Sequence, residues 1–108
     1  MDAHELAEVA ARRADSGLRY LEFIRVHDLS VGLYVLAVGQ PDLQRPHTED
    51  EVYYVVAGEG RITVAEEDRE VRHGSIVFVG AGVPHHFHDI TDDLTLLVMF
   101  GPAEGSRA

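Results

Sequence analysis

Two short stretches of the chain carry residues suited to holding a metal ion. In the first, His47, Glu49 and Glu51 share parity in His47-Thr48-Glu49-Asp50-Glu51, which runs directly into Val52-Tyr53-Tyr54-Val55-Val56. Side chains alternate faces along an extended strand, so an imidazole and a carboxylate are expected on one interior face, close enough to chelate. In the second, His85-His86-Phe87-His88-Asp89 follows Gly80-Ala81-Gly82-Val83-Pro84. Parity turns His85, Phe87 and Asp89 one way and His86 and His88 the other. A buried ionisable group is costly unless paired or metal-bound. Carboxylates and imidazoles converging inside a small domain therefore predict a divalent cation, whose chemistry is that of a Lewis acid.

Composition narrows the ligand types. The chain of 108 residues contains no cysteine, so a metal must be held by imidazole, carboxylate or amide oxygen. Its formal charge of −10 repels phosphate backbones and anionic lipid, which makes nucleic acid and membranes poor partners. The opening Met1-Asp2-Ala3-His4-Glu5 lacks the features of a signal peptide, and a cytoplasmic protein is expected.

One domain is expected from the length, with a hydrophobic fraction of 45%. Leu6, Val9, Ala10 and Arg13 recur at helical spacing before Gly17, predicting a short amphipathic helix over residues 3–14 within an N-terminal segment 1–17. Eight short runs rich in β-branched and aromatic residues follow: 19–26, 31–38, 51–56, 61–65, 70–73, 75–79, 85–90 and 94–100. Turn signals such as Gly58-Glu59-Gly60 and Asp92-Asp93 separate them. These connections leave no room for crossover helices, so an all-β antiparallel barrel is expected over 18–101, with 102–108 as a flexible tail.

The two stretches also resemble the motifs of the cupin superfamily, in its small single-domain, RmlC-like form. His47, Glu51 and Gly58 match the second half of the first motif; Gly74 to His85 match the second, with Gly80 where proline is usual and Asp89 where asparagine is usual. The resemblance covers residues 39–89 and implies a double-stranded β-helix, or jelly-roll barrel. It gives His47, Glu51 and His85 the role of metal ligands. It departs from the family at Arg45, where the first motif's leading histidine is expected; arginine cannot ligate a metal. Gln44 beside it is a further candidate ligand if it swings inward, and so is Glu49, although a solvated turn is the ordinary setting for such a carboxylate. The open positions suit iron, manganese, nickel or zinc.

The expected function is that of a metal-dependent enzyme acting on a small oxygen-rich or anionic molecule, through oxygenase (dioxygenase), isomerase, cyclase or lyase chemistry. Arg45, Tyr53, Phe87 and Asp89 are the expected substrate contacts, with Arg45 supplying a cation for an anionic group. The alternative is a non-catalytic module that binds or senses a small molecule, or an accessory protein in biosynthesis. Exposed strand edges and an apolar outer face of Val52, Tyr54 and Val56 predict a homodimer.

Overall fold

The computed structural model describes residues 1–108. Helix α1 (Leu6–Ser16) is followed by strands β1 (Tyr20–Val26), β2 (Leu29–Leu36), β3 (Asp50–Val64), β4 (Glu67–Arg72), β5 (Ile76–Val79) and β6 (His85–Gly101). All pairings are antiparallel in the order β1-β2-β6-β3-β4, with β5 also on β3. The chain is thus all-β with one short helix. That helix begins three residues later than expected and stops where Gly17 adopts a left-handed φ of 73°, a conformation open to glycine at little cost. It buries Val9 and packs against β1 and β2. No helix is long and apolar enough to cross a membrane.

The eight expected strands are six, because two expected turns are bends within continuous strands. Around Gly58-Glu59-Gly60 the β3·β6 ladder shifts register three times between Val55 and Arg61 without breaking. Glycines here mark bulges, which kink a strand and strengthen its twist. At Gly58, with φ 96°, a Cβ would sit 2.1 Å from the carbonyl oxygen of Asp93. Only a residue without a side chain lets the two long strands cross so closely.

Those bends fold the sheet over on itself. His85 pairs with Val64 at one end of β3, while Glu51 lies near the other end. Fully extended, 13 residues span roughly 40 Å, yet the side chains of Glu51 and His85 meet at 3.1 Å. The enclosed core includes Leu36, Tyr53, Ile62, Phe87, Leu94 and Phe100. Along β6 the buried positions change parity, from His85 and Phe87 to Ile90, Leu94, Leu96, Val98 and Phe100. The slip falls at Asp89, whose φ of 47° interrupts alternation where the register with β3 also shifts.

The segment after Pro102 is not the frayed end expected. Ala103 is buried, and the Glu104 amide donates to Ser30 Oγ at 2.9 Å.

Candidate metal centre

His47 lies in the loop before β3, Glu51 at the start of β3, and His85 at the start of β6, where the folded sheet brings them together. One donor atom from each lies within 4.8 Å of the others. His85 Nε2 is 3.1 Å from Glu51 Oε1, and His47 Nε2 is 4.0 Å from Glu51 Oε2. Each imidazole has a partner at its other nitrogen: His85 Nδ1 bonds the Val83 carbonyl at 2.9 Å, and His47 Nδ1 lies within ion-pair distance of Glu104 Oε2, at 3.4 Å. Such outer contacts fix which nitrogen faces the centre. The His47 ring also packs edge-on against Phe100, with centroids 4.8 Å apart.

Glu51 is 2% exposed, and both its carboxylate oxygens are buried without a hydrogen-bond partner. The 3.1 Å approach of His85 therefore lacks the direction of a hydrogen bond. Burial works against a charged His85, but Glu51 and the Val83 carbonyl outweigh it and hold the His85 pKa above its ordinary 6.5. Burial, reinforced by the charge of Glu51, pushes the Tyr53 phenol well above 10. Glu104 is likewise raised, by burial first, with His47 opposing.

Gln44 does point inward. Its Oε1 accepts from the Tyr53 hydroxyl at 3.0 Å and lies 3.2 Å from His47 Nε2, while its Nε2 donates to Asp42 Oδ2 at 2.7 Å. Simple alternation does not apply to Gln44 because residues 37–49 form a loop rather than a strand. The Tyr53 hydroxyl also lies 3.0 Å from His85 Nε2.

The structure places four of the expected residues away from the cavity and the cluster. Arg45 is exposed and takes no part in the cavity wall; the same loop that turns Gln44 inward turns its neighbour out. Phe87 is fully buried behind the site, edge-on to Tyr53 at 4.9 Å, and supports that ring instead of touching the cavity. Asp89 leaves the interior face at the β6 slip; its largely exposed carboxylate pairs with His88 at 2.9 Å. Glu49 is neither solvated nor turned towards the cluster: at 1% exposure it accepts the amides of Gly105 at 2.7 Å and Arg107 at 3.0 Å and the Thr48 hydroxyl. Burial raises its pKa, but these bonds outweigh burial and leave it below the ordinary value.

A cavity of about 140 Å³ opens beside the cluster, with Tyr20, Tyr34, Gln44, His47, Glu51, Tyr53, Val98, Phe100 and Glu104 as its wall. Sequence reading missed Asp42, which also accepts the Tyr34 hydroxyl at 2.8 Å and the Phe87 amide at 2.8 Å. It missed Glu104 and Tyr20 as well. The Tyr20 hydroxyl is buried and unpartnered, its ring lying over Gly32, where a Cβ would come within 2.2 Å of it. No spacing rule links these residues to the ligand motifs.

A family model described as a cupin domain matches residues 32–100. The chain belongs to the cupin family, and its folded sheet is the double-stranded β-helix. It is similar to an uncharacterized protein of Streptomyces coelicolor, 50% identical over 104 residues, covering 96% of this chain and 99% of that one. Among solved structures, the TT1209 protein from Thermus thermophilus is similar at TM-score 0.74 and 25% identity, covering 95% of this chain and 99% of that one. The DMSP lyase DddQ from Ruegeria pomeroyi shares the fold at TM-score 0.69 and 21% identity, over 82% of this chain and 49% of its own.

Proposed function

We propose that the chain is a metal-dependent cupin enzyme acting on a small oxygen-rich molecule, with His47, Glu51 and His85 as ligands to one divalent ion of iron, manganese, nickel or zinc. The observation that carries this reading is the Glu51 carboxylate, buried with both oxygens unpartnered and faced by two imidazole Nε2 atoms. Apart from the approach of His85, nothing offsets the burial of this carboxylate, and a cation among these donors would do so. Donors about 2.1 Å from one ion lie roughly 3.0–3.5 Å apart around it; His85 and Glu51 stand at 3.1 Å, while His47, at 4.0 Å from Glu51, would have to move in by about half an ångström. Gln44 Oε1, 3.2 Å from His47 Nε2, would be a fourth, neutral ligand where the family's leading histidine is missing. When bound, the metal would supply Lewis acidity to a carbonyl or hydroxyl oxygen.

The wall supports a narrower substrate class than the sequence did. It contains no lysine or arginine, so with Arg45 turned away the metal would be the one cation left to meet an anionic group. The part of a molecule held within the 140 Å³ of this open cavity is about the size of benzene. The substrate is a compact hydroxy- or keto-compound. Its oxygens face the ligand set and its carbon skeleton meets Val98 and Phe100. Glu104 is the wall carboxylate outside the ligand set and can take a proton from such a molecule, which favours isomerase or lyase chemistry.

The test is metal analysis of untagged protein purified without chelator, followed by turnover of small hydroxy- and keto-compounds at graded metal occupancy. About one metal per chain, with turnover tracking occupancy, is expected. Tight binding without turnover would make the protein a binding module, and failure to bind iron, manganese, nickel or zinc would end the reading.

We also propose a homodimer. Val52 and Tyr54 pair with Phe78 and Ile76 across the β3·β5 ladder, and Ile76 and Phe78 are 69% and 64% exposed on that outer face.

A further inference from the structure

We propose that residues 103–108 form a strap that completes the metal centre, held by Glu49 and acting through Glu104 on His47; the inference rests on the ligand reading above. Glu49 is buried with its carboxylate wholly committed to the strap and to Thr48: Oε1 accepts the Gly105 amide at 2.7 Å, and Oε2 accepts the Arg107 amide at 3.0 Å and the Thr48 hydroxyl. Burying a carboxylate is unfavourable unless such charge-assisted bonds offset it. A dangling terminus would have no need of them.

Just before these anchors Glu104 is fixed on both sides of its backbone. Its amide donates to the fully buried Ser30 at 2.9 Å, and its carbonyl accepts from Arg25 Nη2 at 2.9 Å. The side chain held there places Oε2 3.4 Å from His47 Nδ1, which leaves Nε2 facing Glu51. His85 is oriented in the same sense by the Val83 carbonyl, a contact internal to its own loop. The contact His47 makes within its own loop, to Gln44 Oε1 at 3.2 Å, falls on Nε2, and the strap supplies the partner of Nδ1. Glu104 is in this sense a positioning residue: a partner on the outer nitrogen fixes ring orientation and raises ligand basicity.

The experiment compares zinc affinity, measured by competition with a chromophoric chelator, in wild type, Glu104→Ala, Glu104→Gln, Glu49→Gln and a chain ended after Pro102. Glu104→Ala, Glu49→Gln and the shortened chain should each lose roughly 10–100-fold in zinc affinity. Glu104→Gln, which keeps an acceptor for Nδ1, should recover much of that loss. Metal-free Glu104→Ala should melt within a few degrees of wild type, and the Gly105 and Arg107 amides should exchange faster in Glu49→Gln but not in Glu104→Ala. Wild-type protein that binds none of zinc, nickel, manganese and iron would end the ligand reading and the strap's role with it. Wild-type binding that persists unchanged in Glu104→Ala and in the shortened chain would overturn the strap alone.

Discussion

At the scale of single residues, the centre turns on Glu51, whose burial makes sense once its oxygens have a cation to share. Metal at about 100 times its dissociation constant stabilises the native state by about 2.7 kcal/mol, which for a domain near this size is roughly 10–20 °C in melting temperature. That increment should vanish in His47→Ala, Glu51→Gln and His85→Ala. It should persist in His86→Ala and His88→Ala, since His86 is exposed and His88 bonds Thr63 and Asp89 away from the centre. A scanning calorimeter with and without metal decides between these outcomes. The raised His85 pKa adds a pH signature of two opposite signs. In metal-free protein the folded pKa exceeds the unfolded value, so the stability from protonated His85 beside Glu51 is complete below about 6.5 and is lost as pH rises through the folded pKa. Metal competes with that proton, so the metal-dependent increment should grow over the same rise; parallel pH trends with and without metal would contradict the assignment. Arg45→Ala should leave both metal and small-molecule binding unchanged, because the side chain faces solvent. His47, Glu51 and His85 were legible because parity and motif spacing are local properties. Asp42, Glu104 and Tyr20 were not, since only the folded sheet brings β1, the β2–β3 loop and the C-terminal strap to one cavity.

At the scale of elements, the antiparallel all-β character was legible from alternation and turn density, whereas the continuity of β3 and β6 was not. A glycine pair reads the same in sequence whether it ends a strand or bends one, and the difference lies in partners far along the chain. Asp89 shows the cost of extending parity through such a bend: it was placed inside with His85 and Phe87, and a single left-handed residue moved it out. The same reasoning distinguishes two glycines with nearly equal φ. Gly58 has φ 96° and a Cβ there would meet the Asp93 carbonyl at 2.1 Å, while Gly74 has φ 92° with nothing within 4 Å. Gly74→Ala should cost only backbone strain, about 1–2 kcal/mol, and Gly58→Ala on the order of 2–4 kcal/mol because the strand crossing must also open. Urea denaturation of the two variants measures the difference. Equal losses would mean that the close approach at the β3 bend contributes little.

At the scale of the whole molecule, the outer face of β3 and β5 leads to the homodimer. Strand β5 pairs only with β3, and its sequence Ile76-Val77-Phe78-Val79 carries none of the charges or prolines that keep an edge strand from meeting another chain. Its two most exposed side chains, Ile76 and Phe78, extend the half-buried surface of Val52 and Tyr54 into one apolar patch. A two-fold contact suits such a patch, because each copy presents to the other the same apolar surface that it needs covered. A stable pair would bury about 1,200–2,000 Å² in total, so the contact must extend past β5 onto neighbouring strands. Light scattering at micromolar concentration should therefore report twice the chain mass of 11.9 kDa. Ile76→Asp and Phe78→Asp should each shift the mass towards the monomer, because a carboxylate in a desolvated interface has no partner there. Leu43→Asp is the control, since Leu43 is 76% exposed in the loop before β3 and lies off this face. A wild-type monomer at these concentrations would rule out the dimer, and a dimer lost equally in the Leu43 variant would place the contact elsewhere on the barrel.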